Sequence, residues 1–444
     1  MSKHPVIALA LFLLATLVTA KDIQFVEYEL DNGLKVILHE DHSTPIVAVS
    51  IMYHVGSKNE DPDKTGFAHF FEHLLFEGSE NIKRGEFDVY VNGSGGYNNA
   101  NTSDDRTYYY EVLPSNYLEL GLWLESERLL HAKILQEGVD TQREVVKEER
   151  RQRVDNQPYG SVLEELKKRA FTVHPYRWTT IGSMEHLTNA KLEDFIQFYK
   201  SFYVPENAIL SIAGDIDIPE AKKLIHNYFS NIPRGGNEIY RPDILEPAQK
   251  KEIRDIVYDN VQLPGVIQAY KTPAQGTDDY YALQVLFTML STGESSRLNK
   301  TVKDAQQKAV FTGAFPLPTE DPGMSIMFAV ASPGVQAEEL EAAIDAETFK
   351  FRDTPIEANE LQKVKNQIEA NFIGRNNTVA GIAESLANYK MYFGDANLIN
   401  TEIDRFMKVT PEDIMRVAKT YLKKENRVVL YYLPKSMAPQ KGGE

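Results

Sequence analysis

The residues of this 444-residue chain best suited to chemistry are His69, Glu72 and His73, in the run His69-Phe70-Phe71-Glu72-His73. They fall within Gly66 to Phe76, a stretch that predicts a helix. On an α-helix, residues four apart share a face with about 6 Å between them, so both imidazoles can reach one metal ion while Glu72 stands beside them as a base. The order H-x-x-E-H is the reverse of the H-E-x-x-H zinc motif. Two of only ten histidines take this spacing. The plainer alternative is a helix that carries two satisfied histidines.

A catalytic zinc site needs a third protein ligand and an open position. The chain has no cysteine, so that ligand must be a carboxylate or another histidine. The same absence excludes disulfides, thiolate metal sites, iron–sulfur clusters and a cysteine nucleophile. Downstream, Asp140 to Arg153 (DTQREVVKEERRQR) predicts a charged helix that offers Glu144, Glu148 and Glu149. On its residues alone this stretch reads equally as a solvated helix held by acid–base pairs. A second feature is Gly95-Gly96-Tyr97-Asn98-Asn99-Ala100-Asn101-Thr102, followed by Thr107 to Tyr110, which predicts a glycine turn leading into aromatic-rich strand.

These groups need a scaffold, and composition sets its class. With 42% hydrophobic and 25% charged residues the chain is globular, long enough for two to four domains. Its 64 acidic against 48 basic residues give a net charge of -16, which repels polyanions and excludes nucleic acid as a partner. The first twenty residues stand apart: Lys3 and His4, an apolar run from Val6 to Val18, then Val18-Thr19-Ala20 with small residues at a cleavage point. Residues 1–20 predict a cleavable signal peptide. The run is shorter than the about 20 residues that span a bilayer, and no later segment is long and apolar enough to do so. The expected location is therefore exported, periplasmic or secreted, with no membrane association after signal removal.

The chain also repeats itself. Residues 187–210 align with 406–429 at a constant offset of 219, with Glu193-Asp194 on Glu412-Asp413 and Glu206-Asn207 on Glu425-Asn426. In each copy an acidic first turn opens a helix, and a Glu-Asn turn leads into an apolar strand. A weaker match sets 68–78 against 283–293 at an offset of 215; two chance-similar helices are the alternative. Breakers concentrate from Pro233 to Asn237 and on through Pro242 and Pro247. The expected organisation is α+β twice over: an N-terminal domain at 21–236, a linker at 237–250 and a degenerate repeat domain at 251–444. Strands are expected at 36–39, 46–53 and 107–113, and helices at 117–130 and 163–169.

The run Thr65 to Ser79 (TGFAHFFEHLLFEGS) resembles the zinc helix of the pitrilysin family of inverzincin metallopeptidases, in the branch typified by mitochondrial processing peptidase. The likeness extends over nearly the whole chain. It implies two domains, each a mainly antiparallel sheet packed with helices, that form half of a clam-shell chamber. It implies zinc held by His69, His73 and Glu149, the last in Arg143-Glu144-Val145-Val146-Lys147-Glu148-Glu149, with 75 residues between His73 and Glu149. Glu72 would be the general base, acting on a zinc-bound water that attacks the peptide carbonyl. Asn99 and Ala100 match an edge strand that binds substrate backbone by strand addition. One departure is Gln142, where such proteins carry a helper carboxylate.

Under the 215 offset His69, Glu72 and His73 become Gln284, Phe287 and Thr288, so the second half lacks the motif. Where the resemblance calls for an Arg and a Tyr that grip substrate, the chain has Lys303 and Val310. Lysine lacks the planar fork and valine has no hydroxyl. Arg297 is a substitute on position, or else a structural arginine at a helix start. The expectation is a zinc endopeptidase subunit that cuts unfolded peptides as a heterodimer with a paralogue lacking the zinc motif, with a homodimer as fallback. The competing expectation is a non-catalytic assembly or interaction protein that keeps the fold.

Overall fold

The computed structural model describes residues 22–439; the signal peptide read in residues 1–20 lies outside them. Alternating and wholly apolar runs become strands of two sheets. The first contains β1 (Val26–Glu29), β2 (Lys35–Glu40), β3 (Ile46–Tyr53), β4 (Tyr97–Thr102), β5 (Thr107–Pro114) and β6 (Ala208–Gly214), in the order β1-β2-β6-β3-β5-β4. The second contains β7 (Ile253–Asp259), β8 (Gly265–Thr272), β9 (Ala309–Pro316), β10 (Gly323–Ala331) and β11 (Arg427–Pro434), in the order β7-β11-β8-β10-β9. Setting β2 to β6 on β7 to β11 reproduces both the neighbours and their directions. Only β2–β6 and β7–β11 are parallel pairs. The fold is thus the duplicated α+β arrangement that the sequence implied, with β1 as the first sheet's sole addition.

Chemistry explains why the Glu-Asn turn recurs. The helix Leu192–Phe202 leads into β6, and the helix Pro411–Tyr421 leads into β11. Asn207 Nδ2 donates to the carbonyls of Phe202 (2.7 Å) and His54 (3.3 Å). Asn426 Nδ2 donates to Tyr421 (2.8 Å) and Lys271 (2.9 Å). In each copy one amide ties the end of the helix to the strand beside it and satisfies carbonyls that would otherwise be orphaned. The weaker repeat also has a structural counterpart. Phe67–Leu74 follows β3 and Asp278–Ser291 follows β8, so the two helices hold equivalent places.

Each sheet is buried on both faces, so β3 and β6 are apolar almost throughout. One face of the first sheet, with Val49 and Ile51, meets Phe67, Phe71, Phe195 and other residues of the same half. Its other face, with Ile37, Ala48 and Met52, meets Ile382, Ala383 and Leu386 from the helix Val379–Phe393, which comes from the far end of the chain. The second sheet is covered reciprocally. Leu166 and Ala170, on the helix Val162–Ala170, pack on Ile267, Ala269 and Leu430. Two helices therefore cross between the halves, and residues 231–252, which contain no helix or strand, run between the two sheets.

A buried charge cluster bolts the halves together. Lys58 Nζ lies 3.0 Å from Asp105, 2.5 Å from Glu320 and 3.2 Å from Asp321, and Tyr176 donates its hydroxyl to Asp105 (2.6 Å). Burial works against the Lys58 ammonium, but Asp105 and Glu320 outweigh it and raise its pKa above the usual lysine value.

Candidate metal centre

The helix Phe67–Leu74 is short, and both its ends are fastened. It starts at Gly66, whose φ of 97° lies in the left-handed region, and a Cβ there would sit 2.9 Å from the Ile181 carbonyl oxygen. Only glycine fits. The carboxylate of Glu60 accepts from the N–H groups of Gly66 and Ala68, both at 2.9 Å, and so satisfies donors of the first turn. At the other end Tyr109 donates its hydroxyl to the Phe71 carbonyl (2.9 Å), and Arg128 Nη1 donates to the Leu75 carbonyl (2.8 Å). Arg128 is itself held by Glu125 at 3.0 Å and lies over the rings of Phe76, Phe87 and Tyr109 at 4.3–4.6 Å. Phe67, Phe70 and Phe71 turn into the core, which leaves His69, Glu72 and His73 on the opposite side.

The third group arrives on the helix Gln136–Arg150, which continues as a wide π-helical turn over Arg151–Asp155. Val139 and Val146 anchor it in the same core. Glu149, three residues past Val146, then faces the histidines. Its Oε2 lies 3.3 Å from His73 Nε2 and 3.6 Å from His69 Nε2, and its Oε1 lies 2.5 Å from Arg153. Of the three carboxylates offered by this helix, Glu144 pairs with Lys147 and Glu148 with Arg151, both exposed. Among the described residues, His69, His73 and Glu149 are the one group of three whose donor atoms all lie within 4.8 Å of one another.

This donor set fits zinc. Nitrogen and oxygen ligands about 2.05 Å from a tetrahedral ion sit about 3.3 Å apart, and Glu149 lies 3.3 Å from His73 and 3.6 Å from His69. Burial pushes His69 down to about 4, which keeps the ring neutral as a ligand must be. The hydrogen bond from His73 holds the Glu149 carboxyl below its usual range. Glu72 is raised by burial, and the hydroxyl of Thr102, donating at 2.7 Å, opposes that rise.

These residues line a cavity of about 540 Å³ that also takes in Asn99, Ala100 and Thr102. Strand β4 pairs only with β5, so its other edge is free. The Ala100 N–H donates to the side-chain Oδ1 of the adjacent Asn99 (2.8 Å). The sequence-predicted residues Glu72, His69, His73, Glu149, Asn99 and Ala100 thus meet on one cavity wall. Gln142 stands off from it and donates to Glu77 at 2.5 Å.

The corresponding place in the second half has no such trio. Thr288 Oγ1 donates to the Gln284 carbonyl, and Phe287 is buried. Lys303 pairs with Glu294 at 3.1 Å, and Val310 is exposed on β9. Arg297 makes a two-point contact with Glu360 (2.8 and 2.7 Å) and lies over the ring of Phe351, which makes it structural. Sequence reasoning missed Glu60, Thr102 and Arg128. Of these only Arg128 left a signal, since Glu125 and Arg128 stand three apart, about one turn, on the helix Leu118–Leu130.

The chain resembles known proteins over both of its halves. Residues 35–183 match the family model described as Insulinase (Peptidase family M16), and residues 189–368 match that of the Peptidase M16 inactive domain. The chain is 32% identical to the zinc protease PqqE of Helicobacter pylori over 91% of its own length and 92% of that protein. It is 24% identical to the mitochondrial-processing peptidase subunit beta of Blastocladiella emersonii, over 88% and 85% of the two chains. Among solved structures, a protease from Helicobacter pylori superposes with a TM-score of 0.90 at 31% identity, covering 93% of this chain and 100% of that one. The periplasmic protease PqqL of Escherichia coli shares the fold at a TM-score of 0.75 and 20% identity, over 96% of this chain and 49% of that one. With both halves matched and relatives named as zinc proteases, the chain belongs to peptidase family M16, the pitrilysin family.

Proposed function

We propose that this chain is the metal-bearing subunit of a zinc-dependent endopeptidase that hydrolyses unfolded peptides. The observation that carries the reading is the convergence of His69, His73 and Glu149 within 4.8 Å, beside Glu72 and the free edge of β4, on one cavity wall. His69, His73 and Glu149 would hold a zinc ion, which would supply Lewis acidity and acidify water toward a pKa of about 7. Glu72 takes a proton from the attacking water and delivers it to the leaving amine. Its raised pKa suits a group that must both accept and release that proton near neutrality. The free edge of β4 at Asn99 and Ala100 aligns an extended peptide through main-chain hydrogen bonds, which accepts many sequences but demands unfolded substrate.

The second half contributes neither a two-point cation nor a hydroxyl at Lys303 and Val310, and Arg297 is committed to Glu360. A paralogous family subunit with the Arg and Tyr but without the zinc motif completes the site as a heterodimer; a homodimer is the fallback. Residues 1–20 direct export, to the periplasm or beyond the cell. Among the described residues no helix is long and apolar enough to cross a membrane.

The test combines elemental analysis with hydrolysis of quenched unfolded peptides, for the chain alone and mixed with its paralogue. The expected result is about one zinc per chain and rapid turnover only in the mixture. Glu72→Gln is expected to keep zinc and lose about 10²- to 10⁴-fold in kcat, whereas His69→Ala loses both. Full activity in Glu72→Gln overturns the assignment, and zinc without activity in any mixture favours an assembly role.

A further inference from the structure

The helix Val162–Ala170 covers the second sheet incompletely. Beside it the face that it packs on opens into a second cavity, of about 350 Å³. Register shows how the floor is built. Val330 stands between Phe311 and Gly265, Phe328 between Gly313 and Ile267, and Ile326 between Phe315 and Ala269. Two glycines make the room. A Cβ on Gly313 would lie 2.4 Å from the Phe328 ring, and one on Gly265 would lie 2.7 Å from the Tyr159 ring, so each ring lies flat over a bare backbone.

Tyr159 forms the wall, and it is held under strain. Its φ of 61° is one of two left-handed values among the described non-glycine residues. Its hydroxyl is turned away to the Leu263 carbonyl (2.6 Å) and its N–H to Asp259 (3.1 Å). That hydroxyl is the only polar side-chain atom among the lining residues, so the cavity offers no free hydrogen-bonding side chain. A polar occupant would go unsatisfied there; an apolar one would not.

Position identifies the occupant. Gly160 and Leu163 line this cavity and also line that of the metal centre, so the two adjoin across a single leucine side chain. Both Leu163 and Phe315 are part-exposed at the mouth. An extended peptide advances about 3.3 Å per residue and turns alternate side chains to one side, so a residue within about three positions of the bond cut reaches the opening.

We propose that this cavity is a side-chain subsite that takes one bulky apolar residue, aromatic or branched aliphatic, of a peptide whose scissile bond lies at the metal centre. The proposal rests on the peptidase reading above and adds a selectivity to it. A filled apolar pocket discriminates by about 10- to 200-fold.

The experiment uses the zinc-loaded chain with its paralogue and quenched peptides that differ at one residue, alanine against phenylalanine or leucine, stepped through three positions on each side of the bond. The expected result is a kcat/KM ratio of bulky over alanine of about tenfold or more at one position, falling to about twofold or less in Val330→Trp, which fills the cavity. Leu163→Asp, at a part-exposed site on the rim, is the second variant and is expected to lower the same ratio. A ratio near one at every position in the unaltered protein overturns the subsite, as does a ratio that survives in whichever variants fold with full zinc content. Cleavage of no peptide at all, by the chain alone or paired, overturns the peptidase reading and the subsite with it.

Discussion

Glu60 lies outside the candidate ligand set yet fastens the helix that carries His69 and His73. Its carboxylate caps the N–H groups of Gly66 and Ala68, one turn before His69. Burial pushes it up to about 8, although those two N–H groups favour the charged form. In the unfolded chain a glutamate titrates near about 4.3. The folded protein therefore holds this proton more tightly, and the stability that results is fully present below about pH 4.3 and is lost as pH rises through about 8. Urea midpoints for the unaltered protein are expected to fall between about pH 5 and 9. In Glu60→Gln that fall should flatten, and the variant should be less stable at the acid end by about 1–3 kcal/mol, because an amide accepts from one N–H and opposes the other. Equal slopes in the two proteins would show Glu60 to be ionised throughout.

At the scale of elements, the free edge of β4 carries the substrate argument. Successive residues of an antiparallel edge point their N–H and C=O groups alternately toward the neighbour and away from it. The Ala100 N–H is bonded to the Asn99 side chain, an exposed contact that a peptide carbonyl can replace. A peptide added there should bond through every second residue. A series of one peptide with a single N-methyl group moved residue by residue is therefore expected to lose cleavage by about tenfold at alternate positions and little between them. A loss that does not alternate would rule out strand addition on β4.

For the whole molecule the relevant fact is that the two halves share a charge cluster and exchange covering helices. Lys58, in the first half, answers Glu320 and Asp321 of the second as well as Asp105. Burial alone would raise Glu320, but the hydrogen bond from His54 and the Lys58 charge bring it down to about 2. A depressed carboxylate stabilises above its unfolded pKa and loses that contribution as pH falls toward about 2. Lys58→Ala removes the cation shared by Asp105, Glu320 and Asp321 and is expected to cost about 3–5 kcal/mol, read as a lower melting temperature. The crossing helices add a second expectation. A chain ending at residue 250 lacks Ile382, Ala383 and Leu386 and so exposes Ile37, Ala48 and Met52. It should not fold to a monomeric soluble domain, and the full chain should unfold in one calorimetric transition. Cooperative melting of that fragment would overturn this expectation.

The sequence by itself determined what short-range spacing can encode. Residues four apart share a helix face, so His69, Glu72 and His73 were legible as a site. A repeated Glu-Asn turn marked the two copies because each asparagine closes the same local contact. Periodicity also showed that the stretch from Leu163 to Arg169 buries one side. It carried no information about what that side covers, and the structure places it on strands that begin at Gly265 and Arg427. The choice among Glu144, Glu148 and Glu149 was likewise open on residues alone. Only the tertiary packing of Val139 and Val146 turned Glu149 toward the histidines. Glu60 and the paired glycines Gly265 and Gly313 act through partners in neighbouring elements, so their roles arise from where the chain meets itself and leave no local pattern to read.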